Sequence, residues 1–267
     1  MKGRDIIIQG DNLKALEALL SEGRGESVDF IYIDPPYFTG SGYGAYSDVW
    51  KGGMEEYLSE LGSRIALMRD MLSPTGTIAV HLDWHAVHYV KVEMDRIFGY
   101  RNFVNELVWC YRSGGASKKS FAKKHDNILV YAKGKSWYFE PQKEKSYNRG
   151  GKPYRFKGVE EFEDEGGWYT MVNHRDVLNL DMVGRSSGER TGYPTQKPEK
   201  LMDLLLASFA PPEGMTADFY AGSGTFPFCA ARSGRGFIAC DSEKEAAYIT
   251  RSRIDSLSIE YDSRTIY

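Results

Sequence analysis

One short stretch, an apolar run that ends in a rigid acidic turn, constrains this chain more than any other. Residues 28–33 are apolar except for Asp29 and Tyr32, which indicates a buried strand. The turn at 34–37 follows at once and contains two consecutive prolines. Each proline fixes its own φ and lacks an N–H group, so the turn is stiff. Because ligands of open α/β sheets bind beyond the carboxyl ends of strands, we expect a functional site here.

This turn, Asp-Pro-Pro-Tyr, places hydrogen-bond acceptors beside an aromatic ring. The Asp34 carboxylate and the Asp34 and Pro35 carbonyls can accept N–H bonds, and Tyr37 supplies a flat face. No Ser or Cys nucleophile stands in the turn. The combination suits a substrate with an amino edge and a planar ring, such as a nucleobase. Taken alone, the four residues are equally consistent with an acid that caps a turn and a surface tyrosine.

A second motif, far away in the sequence, is typical of half a nucleotide-binding fold. A strand at 217–220 leads into a glycine turn at 221–225, a helix at 226–232 and a strand at 236–241 that ends in Asp241. The glycines let a ligand approach the backbone closely, and the final acid can accept hydrogen bonds from ribose hydroxyls. A third glycine and a phosphate-binding Lys-Ser/Thr pair are missing. A nucleoside with an amino-acid tail therefore fits better than a pyrophosphate.

Together the two motifs resemble the beta class of DNA amino-methyltransferases, which use S-adenosylmethionine and carry the Asp-Pro-Pro-Tyr motif before the glycine turn. The glycine turn departs from the family's usual Asp-Pro-Phe-x-Gly, because Phe219 takes the proline place and Tyr220 the phenylalanine place. Other segments, in the family's order, extend the resemblance over nearly the whole chain. They are Gly-Asp-Asn at 10–12, Leu-Ser-Pro-Thr-Gly-Thr at 72–77, His-Leu-Asp-Trp at 81–84, Ile-Phe-Gly at 97–99, Asn-Phe-Val-Asn-Glu at 102–106 and Tyr-Pro-Thr-Gln-Lys-Pro at 193–198.

The resemblance implies an α/β fold: a doubly wound, mostly parallel, seven-stranded sheet of the Rossmann-like methyltransferase type, circularly permuted, with an antiparallel hairpin at one edge. Residues 1–133 would form the catalytic half of the domain and residues 193–267 its cofactor-binding half. Residues 134–192 would be a target-recognition insertion. The length of 267 residues suits one such domain.

The same resemblance assigns roles to individual residues. The implied catalytic residues are Asp34, Pro35, Pro36 and Tyr37. The implied cofactor-binding residues are Asp11, Asp34, Thr195, Lys197, Asp218, Tyr220, Gly222, Ser223, Gly224, Thr225 and Asp241. Two of these assignments have simpler alternatives, since Asp11 also fits a helix N-cap and Thr195 to Lys197 also fit an ordinary helix start before a proline.

A basic loop between two predicted antiparallel strands suggests contact with DNA. Residues 112–157 contain 13 Lys or Arg against 3 acids, with aromatic residues interleaved. Cations beside aromatic rings are typical of nucleic-acid binding, whereas a solvated charged face over a small satellite core is the alternative. The predicted DNA-binding residues are Arg112, Lys118, Lys119, Lys123, Lys124 and His125.

Two loops and one stretch without periodicity complete the organisation. Residues 38–49, rich in Gly, Ser and Tyr, are predicted to form a mobile lid over the base and the cofactor, although a plain flexible connection is the alternative. Residues 158–167 are acidic and predict a surface loop. Residues 168–191 show little periodicity.

Composition limits the remaining choices. The net charge of −3 does not by itself indicate a nucleic-acid partner, and no run of about 18 apolar residues predicts a membrane span. The three cysteines show no C-x-x-C spacing, which favours a reducing cytoplasm over a disulfide scaffold or a zinc site. His81 and Asp83 lack a third ligand at suitable spacing, so we expect no metal.

The expected function is methyl transfer from S-adenosylmethionine to adenine N6 of a base flipped out of double-stranded DNA. Adenine is favoured over cytosine N4 because cytosine members of this family more often have Ser in place of Asp34. A non-catalytic DNA-binding relative, or a methyltransferase for RNA or small amines, remains an alternative. The sequence leaves open whether a separate restriction endonuclease or a second copy of the chain, in a homodimer, is a further partner.

Overall fold

The computed structural model describes residues 5–266 except 41, 44, 45, 113, 114 and 116. The strands in this part of the chain are β1 (Ile6–Gly10), β2 (Val28–Ile33), β3 (Gly42–Tyr43), β4 (Tyr46–Ser47), β5 (Leu72–Leu82), β6 (Phe103–Cys110), β7 (His125–Ala132), β8 (Lys143–Tyr147), β9 (Phe162–Asp164), β10 (Gly167–Asn173), β11 (Val177–Asn179), β12 (Met215–Asp218), β13 (Gly236–Asp241) and β14 (Asp262–Ile266). The helices are α1 (Asn12–Ser21), α2 (Gly53–Met71), α3 (Val87–Phe98), α4 (Glu199–Phe209), α5 (Thr225–Arg232) and α6 (Lys244–Asp255).

The main sheet has the strand order β11-β6-β7-β5-β2-β12-β13-β1-β14. Strand β7 is antiparallel to both of its neighbours, and the other adjacent pairs are parallel. Helices α1, α2 and α3 contribute to the apolar cluster on one face, and α4, α5 and α6 contribute to the cluster on the other. The predicted doubly wound, mostly parallel fold is therefore confirmed. None of the described helices is long and apolar enough to cross a membrane.

The predicted count of seven strands was too low, because the described residues place nine in the main sheet. The seven predicted strands form its continuous interior, and β11 and β14 are added at the two edges. For the same reason the β6–β7 hairpin does not lie at the edge, since β11 pairs with β6 beyond it. Neither added strand carries an apolar run: β11 has three residues, and β14 alternates exposed and half-buried positions.

The insertion contains a small antiparallel sheet of its own, with the order β8-β10-β9. The acidic segment predicted to be a loop contributes β9, and the stretch without clear periodicity contributes β10 and β11. Strands β9 and β10 were missed because their residues are half-buried or exposed on both faces, so apolar alternation is weak. Strand β11 was missed because it has only three residues, of which one is buried. The insertion is joined to the main domain at its base, where the Glu140 N–H donates to the Ser208 carbonyl over 2.9 Å.

The pairing of β2 with β12 brings the two sequence motifs together. Thr216 and Ala217 lie opposite Phe30 and Ile31 in parallel register. The acidic turn after β2 and the glycine turn after β12 consequently leave the sheet side by side at its carboxyl edge. This is the position at which ligands of open α/β sheets bind.

Gly224 shows why the second turn needs glycine. Its φ of 68° is left-handed, and a Cβ added there would lie 2.5 Å from the Thr250 hydroxyl and 2.8 Å from the Thr250 Cα on α6. A side chain would therefore suffer both backbone strain and a clash with backbone atoms. Gly234 has a similar φ of 76° but no neighbouring atom within 4 Å of such a Cβ.

These two glycines allow strain and clash to be separated. We expect Gly234→Ala to lower the free energy of unfolding by about 1 kcal/mol through strain alone. Gly224→Ala should cost roughly 1–3 kcal/mol more, because α6 must shift. Thermal or urea denaturation of both variants tests this, and equal losses would show that Thr250 does not restrict the turn.

Candidate active site

The turn at Asp34 is the meeting point of three separate segments. The Oδ1 of Asp34 accepts a hydrogen bond from the Tyr37 hydroxyl, and its Oδ2 forms an ion pair with the Lys197 ammonium. Lys197 is only 9% exposed, and its Nζ lies 5.5 Å from the centre of the Tyr37 ring. The Tyr57 hydroxyl of α2 donates to the Pro36 carbonyl over 2.7 Å. The turn is thus held from outside as well as by its prolines.

An open cleft lies beside Asp34. Eight predicted cofactor residues line it: Asp34, Thr195, Lys197, Asp218, Tyr220, Gly222, Ser223 and Thr225. Residues outside the predicted set also line it, including Tyr32, Tyr193, Met202 and Phe226. Tyr193 could have been found from the sequence, because it begins a segment used in the family resemblance.

Asp241 shapes the glycine turn from the neighbouring strand. Its carboxylate accepts hydrogen bonds from the Gly222 N–H over 2.7 Å and from the Glu243 N–H over 2.9 Å. A side chain on Gly222, whose φ is 49°, would reach within 3.2 Å of the Tyr193 ring. Asp241 and Gly224 are not among the lining residues; they support the shape of the turn, and their direct contact with a cofactor stays a prediction.

On the α6 side of the glycine turn, Arg253 fixes two further groups. Its guanidinium donates to the Ser223 carbonyl over 3.3 Å and to the Thr225 hydroxyl over 3.0 Å. It also forms an ion pair with Glu199 at the start of α4 over 2.7 Å. Arg253 therefore joins the glycine turn to the helix that follows the Thr195 segment.

Two buried carboxyls give the cleft an acidic character. Burial raises the pKa of Asp218 well above its ordinary value, and it raises the pKa of Asp241 as well. Removing these groups from water disfavours their charged forms unless a cation compensates. S-adenosylmethionine carries a sulfonium and an ammonium group, and it also offers ribose hydroxyls and a flat adenine. Acidic groups, a glycine backbone and the Tyr193 and Tyr220 rings fit that chemistry.

Asp11 is the N-cap of α1, as one of its two predicted roles required. Its carboxylate accepts from the Lys14 N–H over 3.0 Å and lies 3.4 Å from the Arg64 guanidinium. Arg64 also donates to the Asn12 side chain, which donates in turn to the Phe219 carbonyl. Asp11 is thereby connected to the strand end beside Tyr220, while its contact with a cofactor stays a prediction.

A hydrogen-bonded chain of buried side chains, not anticipated from the sequence, runs beside Asp34. The Tyr32 hydroxyl lies 2.8 Å from His81 Nδ1, and His81 Nε2 lies 3.2 Å from the Asp126 carboxylate. Asp126 also accepts from the Tyr111 hydroxyl over 3.0 Å. His81, weighed above only as a metal ligand, is fully buried. In the described residues no three His, Cys, Asp or Glu side chains are grouped to hold a metal ion.

The predicted lid is anchored at its base by a buried carboxylate. Asp48 is 1% exposed and accepts hydrogen bonds from the Phe38 and Thr39 N–H groups and from the Trp50 indole. The short pair β3–β4 lies between these anchors, whereas residues 41, 44 and 45 lie outside the described residues. The mobility of the loop stays a prediction.

The basic loop leaves the sheet at the same carboxyl edge as Asp34, because β6 and β2 run in the same direction. The Lys123 ammonium makes a cation–π contact with Trp84, 3.9 Å from the ring centre. Arg112 is held by both oxygens of Asp181, at 3.0 and 2.6 Å, so a phosphate would have to compete with this pair. Lys118, Lys119 and His125 are exposed and Lys124 is half-buried. Residues 113, 114 and 116 lie outside the described residues.

Comparison with known families decides the class. The family model of N6- and N4-specific DNA methylases matches residues 28–252, a range that contains the acidic turn, the insertion and the glycine turn. The chain belongs to this family. It is therefore a DNA methyltransferase of the N6/N4 type.

Individual family members show how widely the likeness extends. The DNA adenine methyltransferase YhdJ of Escherichia coli K12 is 26% identical over 94% of this chain and 83% of its own length. Among solved structures, M1.HpyAVI in complex with SAM has a TM-score of 0.63 at 20% identity, covering 94% of this chain and 99% of that one. The PvuII cytosine-N4-specific methyltransferase has a TM-score of 0.67 at 14% identity, covering 98% and 95%. These structures support the fold of this DNA methyltransferase.

The raised pKa of Asp218 gives a testable pH dependence. A carboxyl whose folded pKa exceeds its unfolded value of about 3.9 binds its proton more tightly in the folded state, so stability falls as pH rises above that value. Asp218→Asn removes this cost and can still accept from the Tyr220 N–H, which lies 2.9 Å away. We expect a gain on the order of 1 kcal/mol at pH 7 that vanishes near pH 4.

Urea denaturation of this methyltransferase at several pH values tests the expectation. Asp255→Asn, on the exposed end of α6, is a matched control that should stay within about 0.5 kcal/mol of the wild type. A loss of stability in Asp218→Asn at pH 7 would contradict the assignment.

Proposed function

We propose that this DNA methyltransferase transfers the methyl group of S-adenosylmethionine to adenine N6 in duplex DNA. The observation that carries the proposal is the position of Asp34, which lines the acidic cleft and also belongs to the rigid turn with Tyr37. One carboxylate thus faces both the place suited to the cofactor and the place suited to a base.

Asp34 would accept a hydrogen bond from the target amino group, and the Pro35 carbonyl would accept the second. Hydrogen bonds to both hydrogens out of the ring plane make the nitrogen lone pair more available for methyl transfer. As the N–CH3 bond formed, the S–CH3 bond would break, and the extra proton on the nitrogen would pass to Asp34 or to water. Tyr37 would stack on the base, which requires its hydroxyl to leave Asp34. The amino group is paired and stacked inside a duplex, so the base must first be flipped out. Positioning supplies most of the acceleration in such a transfer.

Lys197 has a second task in this scheme. Its ion pair with Asp34 occupies the oxygen that the target amine would need. The carboxylate of the cofactor's methionine tail is an alternative anion for the same ammonium group. Exchange of Lys197 from Asp34 to that carboxylate would free Asp34 only when the cofactor is present, which favours binding of the cofactor before the base.

The remaining cleft residues fit the rest of the cofactor, which supplies the methyl group on a positively charged sulfur when bound. Asp241 suits the ribose hydroxyls, and the Tyr220 and Tyr193 rings offer flat faces for the adenine. Asp218 would counter positive charge in the cleft. Glycine at 222 keeps the backbone open to close approach.

Adenine is the favoured base, for two reasons. Asp34 has the carboxylate that the resemblance associates with adenine more often than with cytosine, and YhdJ, a relative over nearly the full length, is an adenine methyltransferase. The cytosine-N4 enzyme among the structural neighbours supports the fold alone at 14% identity. Cytosine N4 is therefore the alternative, with the same mechanism.

Product analysis tests the base and the key carboxylate together. The wild type, incubated with S-adenosylmethionine and unmethylated DNA, should yield N6-methyladenine after digestion to nucleosides. Asp34→Asn presents an amide donor to the target amine and should reduce the rate by roughly 10²-fold or more. Asp29→Asn, the same change at the other end of β2, serves as the control and should stay near wild type. N4-methylcytosine as the product would overturn the base assignment.

The insertion at residues 134–192 is the proposed target-recognition region, and the basic loop before it is the proposed backbone contact. The insertion carries a separate sheet that projects polar side chains from both faces. The loop from Tyr111 to His125 contains five Lys or Arg and no acid. Phosphate contacts position DNA, and contacts to base edges specify the sequence.

Salt dependence tests the backbone contact. Each lysine that neutralises a phosphate adds about 0.9 to the slope of log K against log salt. Lys118→Ala with Lys119→Ala should therefore lower that slope by about 2, measured by fluorescence anisotropy with duplex DNA. Lys135→Ala removes an exposed cation at the opposite edge of the sheet, after β7, and should leave the slope unchanged. An unchanged slope in the double variant would remove these lysines from the interface.

A further inference from the structure

The chain Tyr32–His81–Asp126–Tyr111 crosses the sheet along its carboxyl edge, from β2 through β5 and β7 to the end of β6. Tyr32, His81 and Asp126 are 2%, 0% and 7% exposed. The His81 ring is also fixed by edge-on contacts with Tyr32 and Trp109, at centroid distances of 6.1 and 5.5 Å. None of these side chains has a role in the transfer described above. A buried polar network of this kind needs each hydrogen bond to be made.

The direction of the hydrogen bonds follows from the Asp126 end. Burial of Asp126 favours its protonated form, but the hydrogen bond and the charge of His81, the charge of Lys197 and the hydrogen bond from Tyr111 outweigh it and lower its pKa. An ionised carboxylate only accepts, so His81 Nε2 donates to it. With His81 neutral and its hydrogen on Nε2, Nδ1 is an acceptor and the Tyr32 hydroxyl donates to it, whereas a ring protonated on both nitrogens would reverse this last bond.

This direction matters because Tyr32 lines the cleft together with Asp34 and Lys197. Its ring is held by stacking on Phe226, with centroids 5.3 Å apart and planes 21° from parallel. With the hydrogen committed to His81, the Tyr32 oxygen can present only its lone pairs to a ligand. A neutral hydroxyl is thereby turned into an obligatory acceptor.

We propose that Tyr32 is a cofactor-binding residue that recognises the positively charged methyl–sulfur group, and that His81 and Asp126 are positioning residues that hold its hydroxyl in the accepting orientation. The inference rests on the proposed use of S-adenosylmethionine. Hydrogens on carbon beside a cationic sulfur are polarised and form weak hydrogen bonds to oxygen. After transfer the sulfur is neutral, so the same oxygen would favour the substrate form of the cofactor over the spent form.

The test compares the binding of S-adenosylmethionine with that of S-adenosylhomocysteine, its uncharged product, by calorimetry without DNA. Tyr32→Phe should lower the affinity for S-adenosylmethionine by about three- to fivefold, as expected for the loss of a weak hydrogen bond. The same variant should change the affinity for S-adenosylhomocysteine by less than about twofold. His81→Phe, which leaves the Tyr32 hydroxyl free to turn, should reduce the preference in the same direction.

Tyr261→Phe is the matched control, since it removes one hydroxyl that donates to Asp255, outside this network, and should preserve the preference. Nitrogen NMR of His81 gives an independent check, with a proton expected on Nε2 and none on Nδ1. Equal weakening of both ligands in Tyr32→Phe, or a proton on Nδ1, would overturn the inference while leaving the methyltransferase intact. Failure of the wild type to bind either ligand would instead overturn the proposed cofactor.

Discussion

The parallel pairing of β2 with β12 is the constraint on which the site depends. It joins strands that are nearly 190 residues apart, with Ala217 opposite Ile31, and it places two turns of different chemistry side by side. One turn is rigid and acidic, and the other is open and rich in glycine. Asp34 and Lys197 then meet across this junction. A change in register at this pairing would leave both turns intact and still separate them.

Buried polar groups at this junction lower the free energy of unfolding. Asp218, His81 and Lys197 are almost fully buried, and polar groups in such positions are costly unless each is paired. Each of them has a partner inside the protein: Lys197 pairs with Asp34, His81 with Asp126, and Asp218 with the Tyr220 N–H. The acidic cleft itself is left to a ligand. Functional sites commonly carry this kind of cost, which the rest of the core must offset.

Much of the fold could be predicted because its central strands are apolar runs followed by distinctive turns. The motif at 34–37 and the glycine turn indicated the candidate site, because each is a contiguous run of distinctive residues that directly follows an apolar strand. The edge strands β11 and β14 could not be predicted, because a short or polar strand shows no apolar pattern in the sequence and is stabilised by pairing with its neighbour in the sheet. Asp126 is 45 residues from His81, and the contact becomes visible only when the strand order is known.

The separate hydrogen-bond ladder of the insertion has a consequence for how this scaffold can change. Strands β8, β9 and β10 pair only with one another in the described sheets. A substitution or a lengthened turn within them therefore leaves the hydrogen-bond ladder of the strands that carry Asp34 and the glycine turn unchanged. In the proposed role of this insertion in target recognition, new sequence preferences could arise by drift in one small sheet, while the chemistry beneath it is inherited.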